Sequence, residues 1–171
     1  ALGLDSRIGP KYLKGSTGFG GPCFPRDSIA LASLARGIDI EPLLPEATTR
    51  VNSLQVPRLA KLVQECLPAG GTVGVLGLAY KPLSDVVEES QGLRVAEQLA
   101  SAGLRVLACD PLVPASAVAT RLGAIAVHAS ASECLRQADA VREVLRRRFE
   151  NERARLVDFS LSTCGLEVSV S

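Results

Sequence analysis

The sequence has no tryptophan, and its aromatic residues amount to two tyrosines and four phenylalanines, which leaves few platforms on which nucleic-acid bases could stack. It also lacks an excess of charge: 19 Lys and Arg stand against 18 Asp and Glu, for a formal net charge of +1. A chain that coats phosphate concentrates cations on one surface, and here only the window Val141 to Arg155 is noticeably basic. Its run Arg146 to Arg148 reads as a solvated helix face, so no nucleic-acid partner is expected. No apolar run approaches the roughly 18 to 20 residues that span a bilayer, and no charged and then apolar leader opens the chain; no membrane partner is expected either. The five cysteines are odd in number and include no C-x-x-C pair. That spacing suggests neither a disulfide framework nor a zinc site, and fits reduced thiols in a cytoplasmic protein. The single histidine, His128, has no carboxylate or serine at motif spacing and reads as structural or solvent-facing.

What is present is apolar content of 47% over 171 residues, enough to bury a core. The opening ALGLDSRIGPKYL reads like the interior of a larger protein, so a missing N-terminal portion is expected. Arg26 to Arg36 has helical spacing, follows Pro25 and stops at Gly37. A longer helix is expected from about Glu46 to Leu67, with Val51, Leu54, Leu59, Leu62, Val63 and Cys66 as one apolar stripe and a kink or break at Pro57. A second copy of the chain or the chain's own α/β unit must cover that stripe.

From Thr72 the period changes. TVGVL, LRVLACD and AIAVH read as strands, separated by helices over Ser90 to Ala102 and Ala115 to Leu122 and followed by one over Ala131 to Ala138. The expected fold is α/β, a Rossmann-like parallel sheet wound with helices and preceded by a helical dimerisation segment, with units at 1–68 and 69–171. The rhythm fails after Asp139. VREVLRRRFENERARL is too charged for a buried parallel strand, so a solvated helix is expected there, then a strand around RLVDFS, in a unit that is atypical after residue 140.

The stretch GFGGPCFPRD surrounds Cys23 with residues that loosen or restrict the backbone. Gly18, Gly20 and Gly21 let the chain turn and let a ligand approach, while Pro25 at a helix start aims the helix N-terminus at the thiol. The field there, with Arg26 adjacent, favours a negatively charged sulfur, which makes Cys23 a candidate nucleophile. The alternative is a small buried residue in a glycine-rich turn.

DSRIGPKYLKGSTGFGGPCFPRD, followed by GTVGVLGLAYKPLSDVVEES and GLRVLACDPLVP, resembles the UDP-glucose/GDP-mannose dehydrogenase family in its central and C-terminal regions, over roughly Gly3 to Ala140. The resemblance implies oxidation of a sugar CH2OH to a carboxylate, UDP-glucose to UDP-glucuronate, with two hydrides passing in turn to two NAD molecules. Cys23 would be the nucleophile that carries a thiohemiacetal and then a thioester. Asp27 matches an acid that positions or activates water, though it could equally be a first-turn carboxylate stabilised by the helix dipole. Tyr12, Leu13 and Lys14 match the loop over the nucleotide-sugar, and Phe19 and Gly20 the turn that admits the sugar. Arg7 matches a basic residue supplied across a homodimer, or is a surface arginine. Tyr80 and Lys81 follow the first strand, where open parallel sheets bind ligands; Lys81 suits a phosphate or sugar oxygen, or is simply solvated. The alternative in a different class is a dimerising nucleotide-sugar-binding module without catalysis; a GDP-mannose dehydrogenase-like fragment is a close variant of the first reading.

The chain departs from the family pattern in three places. GVLGLAY lacks the third glycine of a dinucleotide turn, so NAD, expected for the complete enzyme, has no obvious seat. Where the family has an arginine that would meet the cofactor, Glu88 stands beside Glu89. Beyond Ala140 an apolar strand is missing, and RLVDFS keeps Asp158 but has Ser160 in place of an arginine, as in a shortened relative or a changed reading frame.

Overall fold

A computed structural model of the chain describes residues 2–11, 13, 17–67, 70–123, 125–128, 130–139, 157–162 and 165–170. After a single 3-10 turn at Leu2–Leu4 come two helices, α1 (Phe24–Gly37) and α2 (Leu43–Cys66). Cys23 caps α1, and Pro25 sits in its first turn, where a missing N–H has no intrahelical partner to lose. The chain leaves α1 through Asp39 rather than Gly37: Asp39 takes a left-handed φ of 56°. The Ile40 N–H then reaches back to the Ala35 carbonyl at 2.9 Å and that of Asp39 to Arg36 at 3.2 Å, a Schellman-type close.

α2 starts before the expected Glu46 because Pro45, too, falls in a first turn. It continues as one helix through Pro57, so of the kink or break expected there the break does not occur. Val56 and Ala60, buried on either side of that proline, join the core formed with the next helix. The single expected stripe divides in two. Val56, Leu59, Ala60 and Val63 face the α/β unit, while Val51, Leu54 and Leu62, roughly a third to a half of a turn away, are exposed.

The α/β unit is a three-stranded parallel sheet in the order β1 (Thr72–Leu76), β2 (Arg105–Cys109), β3 (Ala126–His128). Val73 pairs with Val106 and Leu107 with Ala126. Helix α3 (Gln91–Ser101) joins β1 to β2, α4 (Ala115–Leu122) joins β2 to β3, and α5 (Ala131–Gln137) follows. Strand period two assigns the faces. Val73, Val75, Val106 and Ala108 pack with Leu93, Leu99 and Val118 of α3 and α4, while Leu107 and Cys109 meet Cys134 of α5. With helices on both faces, the strands are apolar apart from Thr72, Arg105 and His128 at their ends. Asp139 then docks on β1: its N–H donates to the Thr72 carbonyl at 2.8 Å and its carboxylate accepts the Thr72 N–H at 3.0 Å.

The strand expected around RLVDFS is β4 (Val157–Ser162), but it does not extend the parallel sheet. It pairs antiparallel with β5 (Gly165–Val170) as a separate two-stranded sheet. The charged segment for which a solvated helix is expected lies outside the described residues. Among the described residues no helix is long and apolar enough to cross a membrane.

Candidate functional site

Cys23 is exposed, which removes the buried-residue reading, and its thiol caps no backbone N–H. The Asp27 N–H donates to the Cys23 carbonyl at 2.8 Å, so the Asp27 carboxylate stands one turn further along α1. It is exposed and lies 3.8 Å from Arg26. Phe19 and Phe24 meet edge to face across the turn, with ring centroids 6.3 Å apart.

The turn before the cysteine leans on the α/β unit through main-chain contacts. Of its glycines only Gly21 takes a left-handed φ, of 84°, and the Tyr80 ring lies 2.5 Å from where a β-carbon on it would be. A β-carbon on Gly20 would run into the Glu89 carbonyl, and the Gly21 N–H donates to the Glu88 carbonyl at 3.0 Å. The Phe19 N–H donates to Asn52 Oδ1 at 2.9 Å, and the Phe19 carbonyl accepts from Asn52 Nδ2 and Gln91 Nε2, each at 2.9 Å.

The other side of the site is the β1–α3 connection, and Asp110 anchors it from the end of β2. One carboxylate oxygen accepts the N–H of Leu78 at 2.7 Å and Ala79 at 3.0 Å; the other accepts Leu112 at 2.8 Å and Val113 at 3.0 Å. Burial pushes the Asp110 carboxyl up, but these four N–H donors outweigh it and hold it below its ordinary range. The fully buried Ser90 donates to the Ala79 carbonyl and accepts the Leu93 N–H, both at 3.3 Å, and so caps α3. Between these anchors the Tyr80 N–H donates to the Val86 carbonyl at 3.0 Å. Exposed Lys81 places its ammonium 5.3 Å from the Tyr80 ring centroid, within cation–π reach. Burial raises the pKa of the Cys109 thiol, with Asp110 adding to it, and raises that of Cys134, so these two stay neutral packing residues.

Cys23, Asp27, Phe19, Gly20, Tyr80 and Lys81 are therefore brought to one region, where the cysteine turn meets the C-terminal end of β1. Arg7 is not tied to it: its guanidinium pairs with Asp5 at 2.7 Å in an exposed turn, and the pairing holds the Asp5 carboxyl below its usual range. Leu13 is exposed against Gly3, and Tyr12 and Lys14 lie outside the described residues. Sequence reasoning missed Gln91 and Asp110. Asp110 was visible as an acid closing an apolar strand before Pro111; Gln91 carries no local signal.

Residues 1–54 match the central domain of the UDP-glucose/GDP-mannose dehydrogenase family, and residues 74–147 match its UDP binding domain. The chain belongs to that family. The second match runs past Ala140, where the resemblance is expected to stop. Among curated relatives, a UDP-glucose 6-dehydrogenase of Haloferax volcanii is 38% identical over 82% of this chain and 33% of its own length. One of Bacillus subtilis is 32% identical over 82% of this chain and 32% of its own. A solved UDP-glucose dehydrogenase of Pyrobaculum islandicum superposes with a TM-score of 0.72 at 38% identity, covering 80% of this chain and 32% of that one. A GDP-mannose dehydrogenase of Pseudomonas aeruginosa, at 24% identity and a TM-score of 0.67, supports the fold alone. The chain thus spans about a third of the length of the curated relatives it matches.

The start of α3 does not fit the pyrophosphate of a dinucleotide. A pyrophosphate seeks free N–H groups and positive field at a helix N-terminus. At the start of α3 the Ser90 hydroxyl already takes the Leu93 N–H, and Gly92 packs so closely on the Gly77 carbonyl that a β-carbon would collide. Glu88 is exposed beside it, and Glu89 is paired with Arg94 at 2.8 Å. No step through NAD is assigned to these residues.

Proposed function

We propose that the chain is the cysteine-bearing, nucleotide-sugar-holding part of a UDP-glucose 6-dehydrogenase, the activity that converts UDP-glucose to UDP-glucuronate. The observation that carries this reading is the exposed Cys23 at the start of α1, held by Gly20 and Gly21 against the loop that closes β1. Open parallel sheets bind ligands at that end. The Cys23 sulfur adds to the carbonyl carbon of the C6 aldehyde; the S–C bond forms, the carbonyl pair moves to oxygen, and that oxygen takes a proton to give a thiohemiacetal. Asp27 orients the water that later hydrolyses the acyl thioester. The oxidations before and after the adduct need a hydride acceptor, which these residues do not seat.

In this reading Phe19 and Gly20 admit the sugar, Tyr80 and Lys81 meet a phosphate or sugar oxygen from the loop after β1 rather than from the α3 N-terminus, and Tyr12, Leu13 and Lys14 close over it. Arg7 of the partner subunit completes the site in a homodimer formed through the exposed face of α2, where Val51, Leu54 and Leu62 stand in solvent. The units at 1–68 and 69–171 meet at the site, and the free thiols suit a cytoplasmic protein.

Calorimetry with UDP-glucose, GDP-mannose and NAD, combined with iodoacetamide labelling at neutral pH, tests the reading. UDP-glucose should bind, and Cys23 should label faster than Cys66, Cys109 and Cys134 and be protected by the sugar. Binding without such labelling would leave a nucleotide-sugar module with no catalysis. Preference for GDP-mannose would move the chain to the other branch, and no nucleotide-sugar binding would overturn both.

A further inference from the structure

We infer that Gln91 is a positioning residue, which together with Asn52 clamps the Phe19 carbonyl and so fixes the turn that presents Cys23. Phe19 lies between two helices, and each contributes an amide to its peptide groups. Asn52 of α2 uses both ends of its carboxamide on Phe19, as a strand partner would, accepting the N–H and donating to the carbonyl at 2.9 Å each. Gln91, the first residue of α3, donates to the same carbonyl at 2.9 Å, so both lone pairs of that oxygen are taken.

The orientation of Gln91 is fixed by this bond alone. Its Oε1 is buried with no hydrogen-bond partner, and turning the amide over would set that oxygen against the Phe19 carbonyl and lose the one bond it makes. The two amides also account for Gly18, where a β-carbon would lie 2.5 Å from Asn52 Oδ1 and 2.9 Å from Gln91 Oε1. Only glycine fits between them. The buried Ser90 immediately before Gln91 fixes its backbone, so the register of α3 is transmitted to the cysteine turn.

The importance of the clamp rests on the proposed role of Cys23, but the clamp can be tested without any ligand. Amide hydrogen exchange by NMR on the full chain reads it at Phe19 and Gly21, whose N–H groups bond to Asn52 and Glu88. Gln91→Met removes the donor and keeps the length of the side chain. Exchange at Phe19 and Gly21 should then rise about three- to tenfold, while Val106 and Leu107 in β2 change by less than about twofold. Adding Asn52→Asp, which removes the second donor and keeps the acceptor, should raise the loop rates by more than the product of the single changes. Gln91→Lys, which restores a donor of similar reach, should return them toward wild type, and it carries the test if Gln91→Met fails to fold. Unchanged loop exchange in Gln91→Met, equal acceleration of the β2 amides, or a Gln91→Lys variant as fast as Gln91→Met would each overturn the inference. Failure of UDP-glucose to bind would count against the function proposed above and leave these exchange results standing.

Discussion

Leu34 in α1 is 64% exposed and Val51 and Leu54 in α2 are 59% and 56% exposed, whereas Leu93, Leu99 and Val118 in the α/β unit are fully buried. Leucine is equally common in the two regions, 11 in residues 1–68 and 10 in residues 69–140, so leucine content does not explain the contrast; architecture does. A sheet with helices on both faces closes its own core, while a pair of helices has stripes left over once one face is packed. The α/β unit thus completes its core with the inner side of α2, and the outer side of the helical pair stays exposed, the surface through which the proposed homodimer would form.

The largest expected effect tests this contrast directly. Leu99→Ala should destabilise the chain by about 2–5 kcal/mol, because a fully buried leucine leaves a cavity. Leu54→Ala should cost no more than about 0.5 kcal/mol at concentrations where the chain is monomeric. Urea titrations of both variants measure the difference. A Leu54→Ala cost equal to that of Leu99→Ala would mean that the α2 face is already covered, and the contrast would fail. Leu54→Glu, with sedimentation as the readout, should abolish self-association while leaving the α/β unit folded.

The second prediction concerns the joint between the two regions. Gly20→Ala drives a methyl into the Glu89 carbonyl and should cost about 1–3 kcal/mol by overpacking, with a changed rate of Cys23 alkylation. Gly37→Ala makes a useful opposite. Nothing lies within 4 Å of a β-carbon there, at the end of α1, so the same chemical change should stabilise by up to about 1 kcal/mol. Equal effects at the two glycines would show that the cysteine turn does not lean on the α/β unit.

Acid should act on the α/β side of the joint. The Asp110 carboxyl is lower in the folded chain than its ordinary value of 3.8, so the folded state favours the ionised form. Its contribution is complete above that ordinary value and is lost as pH falls through the lower, folded one. Stability measured by urea titration should therefore drop as the pH falls below about 4. Asp110→Asn, which replaces one accepting oxygen by an NH2 group facing two N–H donors, should cost on the order of 1 kcal/mol at neutral pH and flatten that acid limb. An unchanged limb would mean that the four N–H contacts do not anchor the Tyr80 loop.

The parts legible in the sequence were those written in local periodicity. The change of period at Thr72 gave the parallel unit, and Pro25 after Cys23 marked a helix start at the cysteine. What escaped was tertiary. The second face of α2 rests on Val56 and Ala60, on either side of Pro57, where a kink or break is expected, and the expected stripe includes neither. Gln91 meets Phe19 across 72 positions, and no local rule couples residues so far apart. The antiparallel pair of β4 and β5 escaped because a strand is expected only around RLVDFS, and its partner Gly165–Val170 carried no expectation of its own.

The smallest expected effect probes whether the two regions unfold together. Asp39 holds the left-handed position that ends α1, a conformation in which a β-carbon is strained and glycine is not. Asp39→Gly keeps the Schellman bonds to Ala35 and Arg36 and should stabilise the helical pair by ~0.5 kcal/mol, net of the greater freedom glycine has in the unfolded chain. If the contacts of Asn52 and Gln91 with Phe19 make the chain one cooperative unit, the single melting transition should rise by about 1–2 °C, with far-UV and tyrosine signals moving together. Two transitions, with only the helical one shifted, would show instead that the exposed helical pair melts independently of the closed α/β unit.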